Sequence, residues 1–247
     1  MHPVKISVCL LILCATWAPS ASAQAADPVP QGLSGSASFG LSLTQGNTDT
    51  LTINAADDSI YDPKTRNLMK WNALFLRGRQ NGVLSVNRVA GSFRDEFTVS
   101  KHFFMFAQFD ALHDTFKGVD YLYAPTGGVG YKAADTKRTT LDFNAGVGAV
   151  LEKDTGSDPN GSGAGTFGQK FVYQVTEAMT LKQSINTLFK ENDLGDWLYA
   201  FDVGVTMKIN SRLSLSFDLL DTFKNRPVDG LTHKHDLALV TSIVAKY

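Results

Sequence analysis

Two-residue alternation, sustained over segments longer than ordinary soluble strands, constrains this chain more than any other feature. Leu33, Gly35, Ala37, Phe39, Leu41 and Leu43 fall on one parity, against Ser34, Ser36, Ser38, Gly40, Ser42 and Thr44 on the other. Successive side chains of a strand point to opposite faces, so a period of two separates an apolar face from a polar one. The same division recurs in Leu141, Phe143, Ala145, Val147, Ala149 and Leu151, with only Val150 out of phase, and in Trp197, Tyr199, Phe201, Val203, Val205, Met207 and Ile209. A soluble strand averages about 5–6 residues, whereas crossing a bilayer as a tilted strand takes about 9–11.

Helical membrane spans are excluded by the same reading. Mean hydropathy is −0.08, and beyond the N-terminal segment no run of about 18 apolar residues occurs. A transmembrane barrel passes unseen through that test, because its lipid-facing and lumen-facing residues average to neutral.

Turn chemistry punctuates the alternating runs at Gln45-Gly46-Asn47, Asp62-Pro63-Lys64, Asn81-Gly82, Ser100-Lys101-His102, Lys117-Gly118 and Ala134 to Lys137. It continues at 154–163, Thr176-Glu177-Ala178, Asn192 to Asp196, Asn210-Ser211 and Asn225 to Gly230. These connections predict an all-β fold over residues 32–247, a transmembrane antiparallel up-and-down β-barrel of about twelve strands, an even number as single-chain bacterial barrels have. The odd connections, above all 154–163, read as longer Gly/Asn/Asp loops on the outer side. The even ones read as short periplasmic turns.

The first residues look like an export signal. Lys5, the apolar run around Val8 to Ala15, and Ala21-Ser22-Ala23 match the charged, apolar and small-residue regions of a cleaved signal peptide, with cleavage expected after Ala23. Residues 24–31 then form a short periplasmic lead-in. Cleavage would remove Cys9 and Cys14, the only two cysteines, and with them disulfide and zinc–thiolate chemistry. The net charge of −1 becomes −2 on losing Lys5, and nothing in it points to nucleic acid.

Aromatic residues gather near the expected strand ends: Tyr61, Trp71, Phe97, Phe103, Tyr121, Tyr123, Tyr131, Phe167, Tyr173, Trp197, Tyr199 and Tyr247. Rings at those levels form the girdles of a barrel at its two membrane interfaces. In the last strand Leu237, Leu239, Thr241, Ile243, Ala245 and Tyr247 share a face. An in-phase terminal aromatic reads as the signal recognised by the outer-membrane assembly machinery. The expected location is the cell outer membrane, in contact with its lipid and lipopolysaccharide.

The stretches GLSGSASFGLSLTQGNTDT and GVDYLYAPTGGVGYKAADTKRTTLDFNAGVGAVLEK resemble the domain-of-unknown-function 481 family, often labelled salt-induced outer-membrane proteins. The resemblance implies an outer-membrane barrel and carries over no substrate or catalytic residue. Pro125 departs from the family pattern, and a bulge is expected there because proline removes a ladder hydrogen bond. Asp95 shares a parity with Phe93 and Phe97, and a second bulge would restore its register.

The inward positions carry both signs of charge: Lys70, Arg88, Arg94, Glu96, Asp110, Asp114, Lys132, Asp142, Lys170, Lys182, Asp202, Lys208, Arg212 and Asp218. Such charges either pair across a filled interior or set ion selectivity in an open one. Catalytic readings are weak. His102, His113, His233 and His235 form no His-x-Ser pattern, and no Gly-x-Ser-x-Gly elbow occurs. No catalytic residue, metal site or cofactor is expected. His233 with His235, the Asp154/Asp158/Asn160 loop and the glycines 127–130 read as solvated or packing residues. Two functional classes stay open: a small-solute or ion channel, and a closed-lumen barrel serving structure or envelope stress. A soluble periplasmic barrel is the minor alternative.

Overall fold

In the computed structural model, which describes residues 32–44, 50–115, 118–193, 195–226 and 234–247, twelve antiparallel strands close on themselves. They are β1 (Gly32–Thr44), β2 (Thr50–Asp62), β3 (Asn67–Gln80), β4 (Val83–Thr98), β5 (Phe103–Asp114) and β6 (Val119–Asp135). The second half contains β7 (Thr139–Asp154), β8 (Asn160–Thr176), β9 (Met179–Lys190), β10 (Trp197–Lys208), β11 (Leu213–Lys224) and β12 (His235–Lys246). Each strand pairs with its sequence neighbours and β1 closes onto β12. The expected signal peptide, the lead-in, the Gln45-Gly46-Asn47 turn, Lys117, positions 227–230 of the last expected turn and His233 lie outside the described residues.

Every strand has 12 to 17 residues, enough to cross a hydrocarbon layer at a tilt. No described helix is long and apolar enough to do so. Parity along each strand sets the faces. Odd-numbered residues such as Phe39, Val147 and Leu239 point outward and are 60%, 75% and 73% exposed. Even-numbered residues point inward, except beyond register irregularities such as the one beside Val119, which faces in.

The connections at the end where β2 terminates, called the near end below, are residues 63–66, 99–102, 136–138, 177–178 and 209–212. At the far end the fully described ones include 81–82 and 155–159. Asn81 (φ 50°) and Gly82 (φ 78°) both take positive φ, as a two-residue hairpin loop matching strand twist requires. The long loop expected at 154–163 is shorter. Asn160 to Gly163 pair in register with Glu152 to Ala149, because the edge of β7 captures their backbone whatever their side chains. The difference in loop length between the two ends is correspondingly smaller than the glycine content suggested.

Neither expected bulge forms. Pairing runs from Tyr123↔Leu151 to Thr126↔Gly148 with no shift, and the ladder lapses only at Ala124 and Pro125. A missing N–H removes a bond without inserting a residue. Asp95 keeps its outward register, opposite Met69 and Ala107. Its carboxylate accepts the Asn67 amide (3.1 and 3.2 Å) close to the near-end turn. Irregularities fall instead between Gly78 and Arg79, Leu112 and Asp114, Val119 and Tyr121, Lys132 and Ala134, and Gln174 and Thr176.

The closing seam is the shortest ladder, with Ser36↔Lys246 through Phe39↔Ile243 as its pairs. Tyr247 extends it. Its backbone exchanges two 3.1 Å hydrogen bonds with Gly35, and its ring lies over that glycine, where a Cβ would come within 2.8 Å of the phenol oxygen. The hydroxyl donates to Asp57 (2.8 Å) and contacts the Ser59 hydroxyl (2.6 Å). The terminal aromatic thus ties β12 to both β1 and β2. Tyr247→Phe is expected to cost about 1.5–3 kcal/mol, the loss of a hydrogen bond to a charged acceptor, measured as a lower urea midpoint with the heat-dependent gel shift retained. Gly35→Val, which displaces the ring, should lower the midpoint further.

The lumen as candidate functional site

Inward charges collect in three groups. Near the entrance at the near end, Lys70 Nζ binds Glu96 (2.6 Å), Glu96 accepts Arg94 Nε (2.8 Å), and Arg94 Nη1 donates to Gln108 (2.7 Å). Gln108 in turn donates to Asp110 (2.8 Å). This chain crosses β3, β4 and β5, whose inward residues stand side by side (Lys70↔Arg94↔Gln108). The Arg94 guanidinium lies 3.7 Å from the Phe106 ring centroid, so an apolar face covers what its hydrogen bonds leave.

A second group sits between β9 and β11. Lys182 Nζ binds Asp218 (3.1 Å) across Gly204 of β10. Asp202 and Asp58 lie within electrostatic reach of that lysine. A Cβ at Gly204 would collide with the Asp218 carboxylate, so glycine there leaves room for the pair.

The far end holds the third and most buried group. Lys224 Nζ, with no exposed side-chain surface, binds Glu152 (2.6 Å) and Asp154 (2.8 Å). Lys190 binds Glu152 and also Asp196 (2.6 Å). Alternate strands β7, β9 and β11 are joined by these bonds. An apolar cluster of Val119, Leu122, Ala124, Val150 and Ala164, backed by Leu112 and Leu188, fills the adjoining wall. Arg88 on β4 reaches Thr222 on β11, five strands away by the shorter route around the barrel. The far third of the interior is packed with side chains.

Of the residues expected to face the lumen, Lys70, Arg94, Glu96 and Asp110 form the first group and Lys182 and Asp218 the second, with Asp202 near it but unbonded. Asp114 stands opposite Arg88. Lys132, Asp142 and Lys170 are neighbours in one row across β6, β7 and β8. Lys208 is the exposed last residue of β10. Arg212 is a correction: it lies in the exposed turn 209–212, where its N–H bonds the Asn210 side chain (2.9 Å). The alternation resumes only at Leu213.

Glu152, Asp154, Lys190, Asp196 and Lys224 were not among those expectations. Four of them, Glu152, Asp154, Lys190 and Lys224, keep the inward parity of their strands, a signal readable in the sequence. They stand next to Gly/Asp-rich segments and so resemble loop charges. What makes them a network is the approach of non-adjacent strands.

Among the described residues, no three His, Cys, Asp or Glu side chains converge as a metal ion would need. Outside, Trp197, Tyr199, Phe223 and His235 stack at the far rim, with Tyr199–Phe223 centroids 5.2 Å apart. Tyr61, Phe97, Phe103, Tyr131 and Tyr247 encircle the near rim. Phe167 lies mid-strand rather than at an end.

A family model described as "Protein of unknown function, DUF481" matches residues 37–247. The chain belongs to this family. The fold is shared with solved structures of very different sequence. One is the NanC porin, at 10% identity and a TM-score of 0.53, covering 87% of this chain and 100% of that one. Another is an outer-membrane channel from Pseudomonas putida F1, at 11% identity and a TM-score of 0.52, covering 92% and 100%. A search of curated proteins finds no significant match. At such identities the likeness speaks for the fold of this family member and for no solute.

Lys224→Met would leave Glu152 and Asp154 short of their shared cation inside the packed end. The expected loss is about 3–5 kcal/mol, read as a lower urea midpoint of the refolded barrel. Lys208→Met, at an exposed strand end, should change it by less than about 0.5 kcal/mol.

Proposed function

We propose that this protein is an outer-membrane barrel that forms a narrow channel for ions or small solutes, held closed in this conformation at its far end. The observation that carries the channel reading is a charged interior reached by solvent: Asp58, Asn72, Lys170 and Asn186 all have inward parity and are exposed. A wholly filled barrel would bury them. The two fold relatives named above are a porin and an outer-membrane channel, which accords with transport rather than catalysis.

Membrane insertion is supported by the outer surface. A continuous band that includes Phe39, Phe75, Phe93, Phe109, Val129, Val147, Phe217 and Leu239 is exposed, far beyond the few hundred Å² of apolar patch a soluble monomer shows. Hydrocarbon covers such a band without penalty, and the closed ladder leaves no strand edge unpaired in lipid. In this reading the first 23 residues are an export signal, the assembly machinery inserts the barrel, and lipopolysaccharide surrounds the far rim. The near end faces the periplasm.

The packed far end favours a second reading, a permanently closed structural barrel. Planar-bilayer recording separates the two. The channel reading expects brief, discrete current steps from the refolded wild type. Glu152→Gln/Lys224→Gln, which removes the charges of the seal together, should raise the open fraction several-fold. Two folded, heat-shifting proteins that pass no current would establish the closed barrel instead. Recovery of the native protein from cells without detergent would overturn the membrane assignment.

A further inference from the structure

The middle of the lumen contains charges that the three ion-pair groups do not use. The ladder pairings Lys132↔Asp142, Asp142↔Lys170, Lys170↔Ser184 and Ser184↔Asp202 form one continuous inward row across β6 to β10. Lys170 makes no ion pair or hydrogen bond among the described residues, and its side chain is exposed to the lumen. Asp202 has a buried carboxylate oxygen without a hydrogen-bond partner, as does Asp142. Asp58, exposed on β2, acts electrostatically on Asp202 from another part of the wall.

Lys170 and Asp202 are separated by one strand, so their backbones lie about 10 Å apart, two inter-strand spacings. Ser184 occupies the position between them. The obvious partners are engaged elsewhere, Lys182 by Asp218 and Lys70 by Glu96. A cation and a carboxylate therefore line the same solvent-reached space, close enough to influence each other and not in contact.

The charges are also sorted by side. On β6 to β8 two cations, Lys170 and Lys132, the latter also paired with Asp135 (3.8 Å), flank Asp142. On β9 to β11, together with β2, three carboxylates, Asp58, Asp202 and Asp218, surround one cation, Lys182. A simple anion drawn to Lys170 meets Asp142 and Asp202. A simple cation drawn to Asp202 meets Lys182 and Lys170. A molecule carrying both charges a few ångströms apart meets neither objection.

We propose that the mid-lumen is a binding site for a small zwitterion of amino-acid size, its carboxylate directed to Lys170 and its ammonium to Asp202 and Asp58. Ser184 and Asn186 supply neutral hydrogen-bonding groups on β9. The proposal deepens the channel reading by naming a class of solute, and it rests on that reading for the path the solute takes.

The test uses the whole refolded barrel in detergent micelles, titrated with glycine and with 4-aminobutanoate and followed by saturation-transfer NMR. Sodium acetate and methylammonium chloride, which carry one charge each, are the controls. The expected result is saturable binding of at least one zwitterion, with both controls at least 10-fold weaker. Lys170→Gln and Asp202→Asn should each weaken zwitterion binding at least 10-fold, about 1.4 kcal/mol, while both keep the heat-dependent gel shift. Lys170→Asp/Asp202→Lys, which restores opposite charges in reverse order, should recover part of it. The site is overturned if neither zwitterion binds, if acetate or methylammonium binds as tightly, or if both single variants bind like the wild type. The channel reading fails separately: charge-dependent binding without current in bilayers keeps the site and removes transport, whereas current without zwitterion binding removes the site alone.

Discussion

Backbone closure is the constraint on which the rest of this structure depends. Each of the twelve strands has a hydrogen-bonded neighbour on both sides, so no edge is left to solvent, to lipid or to another chain. Closure places its heaviest demand where β1 meets β12, across the shortest ladder. There Tyr247 extends the pairing past Gly35 and its hydroxyl reaches Asp57 and Ser59 on β2. A residue expected to act as an assembly signal is also part of the closing structure. The closing contact follows from an aromatic ring in phase with the outward face.

Once the wall is closed, parity between the register irregularities assigns side chains to the outer or the inner face, and the lumen has to accommodate what the strands deliver. It does so unevenly. The far third is packed by an apolar cluster and by the lysines of β9 and β11 shared among acids. The near part carries a chain of bonds through Lys70, Glu96, Arg94 and Gln108. Between them lies a wetter zone in which Lys170 and Asp202 remain without partners. Burial supports the ion pairs of the packed end by excluding water, and the same burial would make removal of one partner costly. A barrel of this size therefore need not be uniformly open or uniformly filled.

Much of the fold was legible from alternation. Twelve strands, their faces and most inward charges follow from a period of two read between turn signals. Local errors arose where a side-chain rule was asked to predict backbone pairing. Gly161 and Gly163 looked like loop residues, yet the neighbouring strand pairs with backbone and ignores the missing side chain. Pro125 and Asp95 suggested bulges, yet proline only deletes a bond, and Asp95 finds Asn67 near the strand end. Arg212 sits in the turn, four positions past the end of β10 at Lys208 and one before β11 begins at Leu213.

By itself, the sequence determined which residues face outward and which face inward, because that depends only on the count of residues along each strand. It also determined family membership, through patterns that run along the chain. Only the tertiary structure decided which inward charges meet. Glu152 and Lys224 are 72 positions apart, on strands that do not pair, and their contact depends on how the closed wall curves. The same curvature left Lys170 and Asp202 facing a shared space without touching, and no spacing in the sequence encodes that separation.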